Sequence, residues 1–202
     1  MKKSVWNLPN TITISRFFLC CLIFVLLALL PSRHALLLGR EVLYKVHIWT
    51  VIVLFIAAAL TDFLDGYLAR KKGEVTRFGR VADPFVDKIL VLGSMLFLCS
   101  RPAPDTGLFL APWMVVVMLA REFLVSAIRS LAEAEGIAFP AERLGKWKLI
   151  SQCLAVGWLL GYLAGVPVAQ GWVTHVLVWA ALLLTVISGL GYINKSIRVF
   201  TR

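Results

Sequence analysis

Residues 47–68 read HIWTVIVLFIAAALTDFLDGYL, an apolar run that ends with two aspartates and a glycine. The run is long enough for one membrane crossing, which takes about 20 residues of α-helix. At about 100° per residue, the positions i, i+3, i+4 and i+7 fall on one face of a helix. Those positions hold Asp62, Asp65, Gly66 and, just beyond the run, Ala69. This stretch therefore predicts a membrane helix whose end carries two carboxylates beside residues with almost no side chain.

Other apolar segments of similar length occur on both sides of this run. The chain is 60% hydrophobic and 16% charged, compared with roughly 45–50% and about 25% in ordinary soluble domains. Helices are the spanning structure that satisfies the backbone in lipid. We therefore predict an all-α membrane protein with six transmembrane helices in a single domain, residues 1–202. The predicted helices cover approximately residues 11–30, 47–68, 84–100, 108–132, 147–166 and 172–192.

The distribution of basic residues predicts the orientation of these helices. Short cytoplasmic loops retain Lys and Arg, and most of the 21 basic residues lie on the same predicted side as the N-terminus. Both termini are therefore expected to be cytoplasmic, in the cell inner (plasma) membrane. The connection at residues 31–46 departs from this bias because it contains Arg33, Arg40 and Lys45. Since the net charge of +10 is concentrated at one membrane face, it favours membrane lipids and phosphorylated substrates, not nucleic acid, as partners.

The first residues predict an N-terminal interfacial segment. Trp6 suits the level of the lipid headgroups, and Asn10 is expected to cap the first helix. A cleaved signal peptide is the alternative, since Lys2 and Lys3 precede an apolar run. Polar residues intervene and no A-x-A-like cleavage site follows promptly, so we favour the interfacial segment.

A second pair of aspartates, Asp83 and Asp87, follows a basic connection. Asp83-Pro84 fits either a helix N-cap with proline at the first helical position or a proline-containing turn inside a helix that begins earlier. Together with Asp62 and Asp65, these carboxylates would repel one another unless a cation neutralised them. Aspartate oxygens are ligands that Mg²⁺ and Mn²⁺ prefer. The sequence therefore predicts a divalent-metal site, with salt bridges to lysines as the structural alternative.

The spacing from Asp62 to Asp87 is Asp-x2-Asp-Gly-x2-Ala-Arg-x8-Gly-x3-Asp-x3-Asp. This pattern resembles that of the CDP-alcohol phosphatidyltransferases, and every fixed position matches. The resemblance implies a six-helix membrane enzyme, commonly a homodimer. It also implies that two divalent cations assist the displacement of CMP from a CDP-linked lipid or alcohol.

The same resemblance implies roles for individual residues. Asp62, Asp65 and Asp83 are expected to bind the two cations, either Mg²⁺ or Mn²⁺. Asp87 is expected to bind the second cation and to act as the general base. The residues expected to contact CDP-diacylglycerol, or to make room for it, are Gly66, Ala69, Arg70, Thr76 and Gly79.

Three further stretches, residues 7–13, 121–129 and 145–152, are similar to the branch of the family that uses glycerol 3-phosphate as acceptor. Leu149 departs from that branch, where a threonine is expected. A phosphorylated acceptor needs cations near the metal site, and Arg and Lys are the usual phosphate partners. The predicted phosphate-binding residues are Arg121, Arg129, Lys146 and Lys148.

These cations also have structural interpretations. Arg129, Lys146 and Lys148 fit the general retention of basic residues in cytoplasmic loops. Arg121 stands beside Glu122 in an apolar helix, where it would snorkel or form an intrahelical pair.

Other functions stay open at this point. Another family member would use inositol phosphate, serine or a lipid alcohol as acceptor, and the aspartate motif cannot separate these. A divalent-cation transporter is a different class, but its sites usually lie near the midplane, whereas these aspartates cluster at one face. A non-catalytic membrane scaffold would leave the four aspartates without a purpose.

Overall fold

The structure is a computed structural model that describes most of the chain. The described residues are 8–30, 41–72, 77–99, 101–103, 107–137 and 143–200. Within these ranges side chains are described except at residues 8–10, 12, 62–84, 87, 102–103, 107–108, 143–144 and 198–200.

The described part of the chain is almost entirely helical. Two short strands, β1 (Pro102–Ala103) and β2 (Gly107–Leu108), pair antiparallel between the third and fourth helices. The predicted all-helical fold is confirmed, with this small hairpin as an addition. The helices within the described ranges are α1 (Leu8–Leu29), α2 (Glu41–Lys72), α3 (Arg77–Leu98), α4 (Pro112–Ala134), α5 (Arg143–Leu163) and α6 (Gly171–Phe200).

The chain divides into two compact units. The first comprises Met1–Leu98 with Leu163–Val166, and the second comprises Cys99–Tyr162 with Pro167–Arg202. In the first unit α1 packs against both α2 and α3, and α2 also contacts α3. In the second unit α4 packs against α6. The assignment of residues 1–202 to one functional domain stays a prediction.

Close helix packing holds the first unit together. Helix α3 approaches α1 at Gly93, where a Cβ atom would lie 2.3 Å from Cζ of Phe24. The Phe24 ring in turn stacks on Phe97, with centroids 5.5 Å apart. His47 on α2 lies 2.8 Å, through Nε2, from the backbone oxygen of Leu26 on α1. Position 93 therefore has no room for a side chain unless the Phe24 ring moves.

Local backbone chemistry sets the ends of helices α4 and α5. Pro112 opens α4. Proline is tolerated there because N–H groups in the first turn of a helix have no intrahelical acceptor, so nothing is lost when one N–H is absent. At the other end Gly136 adopts a φ of 71°, and the Ile137 N–H donates to the Ala132 carbonyl at 2.8 Å. This is the Schellman arrangement that closes many helices. Helix α5 stops two residues before Gly165, which has a φ of 76°.

The predicted cap of the first helix is wrong. Helix α1 begins at Leu8, so Asn10 lies inside its first turn. Pro9 is tolerated there because first-turn N–H groups have no intrahelical partner. Trp6, the predicted interfacial residue, lies outside the described residues.

Helices α2 and α3 both begin earlier than predicted. The predicted connection at residues 31–46 extends too far along the chain, because α2 already begins at Glu41. Glu41 forms an ion pair of 2.5 Å with Lys45 at i, i+4 spacing, which supports the added helical turn. Helix α3 begins well before residue 84, so Asp83-Pro84 lies inside a helix and the second alternative for this dipeptide holds.

Two other boundaries also differ. Helix α4 begins at Pro112 and not near residue 108, because Leu108 pairs with Pro102 in the hairpin. Helix α6 continues to Phe200, past the predicted end at residue 192. Residues 193–200 contain neither Gly nor Pro, so no strong helix breaker stops α6 there.

Two segments of the described helices, Glu41–Thr61 and Gly171–Ile197, are long and apolar enough to cross a membrane. Each exposes large apolar side chains, for example Trp49 and Val53 on α2 and Leu183 and Ile187 on α6. Extended apolar surfaces of this kind mark contact with lipid or with another protein. The protein is thus suited to a membrane, whereas six crossings and two cytoplasmic termini stay predictions.

Candidate functional site

The four predicted metal ligands lie on two helices of the first unit. Helix α2 continues without a break through Asp62 and Asp65, and α3 continues through Asp83 and Asp87. The two helices contact each other. The helical backbone thus agrees with the spacing argument, which needs both pairs on regular helix.

The side chains of residues 62–84 and of Asp87 lie outside the described residues. Their metal and nucleotide contacts therefore stay predictions. The same holds for the predicted CDP-diacylglycerol residues, of which Thr76 lies outside the described backbone as well. These residues are Gly66, Ala69, Arg70, Thr76 and Gly79.

A buried ion triad in the second unit contains two of the four predicted phosphate-binding residues. Arg121 Nη1 donates to Oε1 of Glu122 at 2.9 Å, and Lys148 Nζ donates to the same oxygen. Only 8% of Arg121, 5% of Glu122 and 6% of Lys148 is exposed. Buried charges need partners, and here two cations share one carboxylate. The triad therefore keeps one net positive charge.

The remaining contacts of Arg121 fix its guanidinium from several sides. Nη2 donates to Oγ of Ser188 on α6 at 2.9 Å, and the guanidinium carbon lies 5.6 Å from the centroid of the Tyr192 ring. Gly189 makes room for the side-chain stem, because a Cβ atom there would lie 2.9 Å from Cγ of Arg121. Among the described residues, Nε of Arg121 has no hydrogen-bond partner although it is buried.

The other two predicted phosphate-binding residues differ from each other. Arg129 is exposed, and its Nη2 donates to the Tyr192 hydroxyl at 3.4 Å. Tyr192 therefore contacts both predicted arginines. Lys146 is exposed on α5, two residues before Lys148 and so about 200° around the helix from it. The structure thus brings three of the four cations together and leaves Lys146 on another side of α5.

A neutral polar layer continues from the triad. Gln152, one turn after Lys148 on α5, donates from Nε2 to Oγ1 of Thr185 at 3.0 Å. Thr185 donates to the Ala181 carbonyl at 2.6 Å, and Ser188 donates to the Thr185 carbonyl at 3.0 Å. All these side chains are buried. We call the following residues the polar cluster: Arg121, Glu122, Lys148, Gln152, Thr185, Ser188 and Tyr192.

Sequence reasoning missed most of the uncharged members of the polar cluster. Thr185, Ser188 and Tyr192 stand at i, i+3 and i+7 in the mainly apolar stretch 176–193 of α6, and this spacing places them on one face. That stripe is a signal, since polar residues in membrane helices usually face the protein interior. The intrahelical pair considered for Arg121 does form, with Glu122. Lys148, which also contacts Glu122, lies on another helix, and no local sequence pattern predicts that contact.

Comparison with known proteins gives a consistent picture. A sequence model of the family described as CDP-alcohol phosphatidyltransferase matches residues 6–187. A CDP-diacylglycerol–glycerol-3-phosphate 3-phosphatidyltransferase of Bacillus subtilis is 37% identical over 194 residues, which cover 95% of this chain and 96% of the relative.

Two further relatives differ in how much of their length is matched. A Rickettsia typhi protein with the same name is 35% identical, over 92% of this chain and 94% of its own length. A protein of Oryza sativa subsp. japonica named cardiolipin synthase (CMP-forming) is 38% identical over 115 residues, which are 53% of this chain and 35% of that protein.

Proposed function

The chain belongs to the CDP-alcohol phosphatidyltransferase family, and we propose that it transfers a phosphatidyl group from CDP-diacylglycerol to glycerol 3-phosphate. The products would be phosphatidylglycerophosphate and CMP, which makes the reaction a step of phospholipid biosynthesis. The observation that carries the proposal is the similarity to the Bacillus subtilis relative over nearly the full length of both chains.

The polar cluster supports a phosphorylated acceptor. Arg121 and Lys148 leave one net positive charge after pairing with Glu122, and Arg129 adds another cation beside Tyr192. Arginine and lysine donate charge-assisted hydrogen bonds to phosphate oxygens. An acceptor that carries a phosphate would therefore be favoured over serine or over unphosphorylated glycerol.

The donor side of the reaction is assigned to the aspartate helices. Asp62, Asp65, Asp83 and Asp87 form a set of hard oxygen donors on two helices in contact, which fits Mg²⁺ or Mn²⁺. Two such cations, when bound, would neutralise charge on the pyrophosphate of CDP-diacylglycerol. We further expect the diphosphate and cytidine to contact Gly66, Arg70 and Thr76, with Ala69 and Gly79 leaving space beside them.

The chemical step uses groups of this chain to position and deprotonate the acceptor. The acceptor hydroxyl oxygen forms a bond to the phosphatidyl phosphorus, and the bond from that phosphorus to the CMP oxygen breaks. Asp87 takes the hydroxyl proton as general base. We expect Arg121 and Arg129 to hold the acceptor phosphate, because a fixed acceptor reacts faster than a freely diffusing one.

The membrane setting completes the proposal. We expect six membrane crossings with both termini and the site on the cytoplasmic face of the inner membrane, because most basic residues lie on that side. A homodimer is expected from the family. Cysteine accessibility in intact cells and cross-linking in native membranes would test orientation and dimerisation separately.

The experiment that tests the function is CMP release by the purified protein in detergent with CDP-diacylglycerol and a panel of acceptors. The panel contains glycerol 3-phosphate, glycerol, inositol phosphate, serine and phosphatidylglycerol, each with and without a chelator. Turnover that is highest with glycerol 3-phosphate and lost in chelator is the expected result. Preference for another acceptor would reassign the substrate, and turnover in chelator would remove the metal assignment.

A further inference from the structure

We propose that Glu122 is a positioning residue that holds Arg121 and Lys148 in the arrangement needed for the acceptor phosphate. This inference rests on the proposed function, because it assigns a role within the acceptor site. Its basis is that a single atom, Oε1 of Glu122, accepts hydrogen bonds from both cations. The two cations stand on different helices, α4 and α5, so the carboxylate links the helices as well as the charges.

Glu122 supplies a hydrogen-bond acceptor that the two cations share. Arg121 Nη1 and Lys148 Nζ converge on one point, and like charges at that separation repel. Both side chains are long and flexible, and a buried cation that loses an ionic partner tends to extend toward water. The carboxylate therefore offsets both the repulsion and the burial of the two charges.

The triad nevertheless keeps a capacity to bind an anion. It carries one net positive charge, and Nε of Arg121 is buried without a hydrogen-bond partner among the described residues. Ser188 and the Tyr192 ring hold the guanidinium on two other sides. A phosphate oxygen can accept a hydrogen bond from this Nε–H group. Glu122 itself would repel that phosphate, so it acts through Arg121 and Lys148 and does not contact the substrate.

Two effects of removing the Glu122 charge oppose each other. The local potential becomes more positive, which alone would strengthen phosphate binding. The cations also lose the atom that orients them, which weakens every hydrogen bond they make to the phosphate. Both cations are more than nine-tenths buried, so geometry and not long-range attraction determines their contact with a ligand. We therefore expect the loss of orientation to dominate.

The experiment measures the kinetic constants of Glu122→Gln, Glu122→Asp and the matched control Glu133→Gln, which alters an exposed glutamate on the same helix. In Glu122→Gln, the KM for glycerol 3-phosphate should rise by roughly tenfold or more, as expected when charge-assisted hydrogen bonds are lost. The KM for CDP-diacylglycerol should change much less. Glu133→Gln should match the parent in both constants.

Glu122→Asp keeps the test decisive if the glutamine variant folds poorly. Aspartate retains the charge but is one methylene shorter, so it cannot reach both cations equally well. It should give an intermediate KM for glycerol 3-phosphate at a parent-like unfolding temperature in detergent. A purely structural role predicts a lower unfolding temperature with both KM values unchanged in the protein that remains folded.

The possible outcomes separate this inference from the proposed function. An unchanged or lower KM for glycerol 3-phosphate in both variants would overturn the positioning role while the parent still used that acceptor. Parallel rises in the KM of both substrates would also overturn it. A parent enzyme that prefers another acceptor would overturn the proposed substrate and this inference with it.

Discussion

Gly189 on α6 lies directly against the side chain of Arg121 on α4, and a Cβ atom at position 189 would come within 2.9 Å of Arg121 Cγ. Cγ is close to the backbone of α4, so it cannot move away as the tip of a flexible side chain would. Gly189→Ala should therefore displace the guanidinium from Ser188 and raise the KM for glycerol 3-phosphate several-fold. Overpacking of this kind typically costs about 1–3 kcal/mol.

Gly157→Ala is the matched control for this substitution. Gly157 lies inside α5, and among the described residues no atom beyond its chain neighbours and its own helical backbone lies within 4 Å of a Cβ atom built there. The control should be neutral or stabilising by about 0.5–1 kcal/mol, the usual effect of replacing a helical glycine by alanine. Kinetics and thermal unfolding in the same detergent measure both variants. Equal behaviour of the two alanine variants would contradict the assigned contact.

Tyr192 gives a prediction that separates its ring from its hydroxyl. Tyr192→Phe removes the acceptor of the 3.4 Å hydrogen bond from Arg129 and keeps the ring beside Arg121. A net hydrogen bond contributes about 0.5–1.5 kcal/mol, and this long one should lie at the low end. The KM for glycerol 3-phosphate should rise about twofold in Tyr192→Phe, with a larger rise in Tyr192→Leu. An equal effect of both variants would argue against a role for the ring.

The sequence predicts the helices of this protein well because their apolar runs are long. It predicts their ends less well, since ends depend on local hydrogen bonds. Pro9 permits α1 to start before Asn10, and the hairpin delays α4 to Pro112. Local sequence does not decide the placement of Asp83-Pro84, because proline fits both the first turn of a helix and a kinked interior.

The candidate site likewise contains some residues that local sequence groups together and others that only helix packing brings together. Local spacing is enough to place Asp62 with Asp65, because both lie on one helix. The polar cluster joins α4, α5 and α6, and such cross-helix partners depend on packing that no local pattern contains. Helical periodicity predicts that Lys146 and Lys148 point about 200° apart, and in the structure Lys148 is buried whereas Lys146 is exposed.

The close approach of α1 and α3 makes Gly93→Ala a test of packing in the first unit. The new Cβ atom would lie 2.3 Å from Cζ of Phe24, and the ring is already stacked on Phe97. The variant should lose about 1–3 kcal/mol of stability. Phe24→Leu should destabilise the parent through lost ring contacts but should restore part of the stability of Gly93→Ala.

A double-mutant cycle measures this coupling by thermal unfolding in detergent. Residues in contact show interaction energies of about 0.5–3 kcal/mol, whereas distant residues are additive. Additive effects of Gly93→Ala and Phe24→Leu would contradict the close packing of these two helices.

The metal assignment predicts the behaviour of the four aspartates. Asp62→Asn, Asp65→Asn and Asp83→Asn should each remove most activity, because a lost ligand weakens the neutralisation of the pyrophosphate. For Asp87→Asn we expect a fall of about 10²–10⁴ in kcat with a smaller effect on CDP-diacylglycerol affinity, the pattern of a lost general base. Glu135→Gln, at an exposed site, is the control. Near-normal rates in the first three variants would remove the metal assignment.

The last prediction concerns the two arginines of the acceptor site, which differ in burial. Arg121 is buried and bonded to Glu122 and Ser188, whereas Arg129 is exposed and bonded to Tyr192. Arg121→Gln and Arg129→Gln should both raise the KM for glycerol 3-phosphate more than that for CDP-diacylglycerol. Arg121→Gln should have the larger effect, because desolvated charges interact more strongly.

Salt provides the discriminating measurement for this pair. The Debye length falls from about 10 Å at 0.1 M to about 3 Å at 1 M ionic strength, and exposed charges are screened far more than buried ones. The penalty of Arg129→Gln should therefore shrink as salt is raised, while that of Arg121→Gln should persist. Arg121→Lys should recover little, because an ammonium group cannot reproduce the planar guanidinium fork. If neither glutamine variant altered the glycerol 3-phosphate constant at low salt, the acceptor site would have to lie elsewhere, and the metal-dependent half of the proposal would be unaffected.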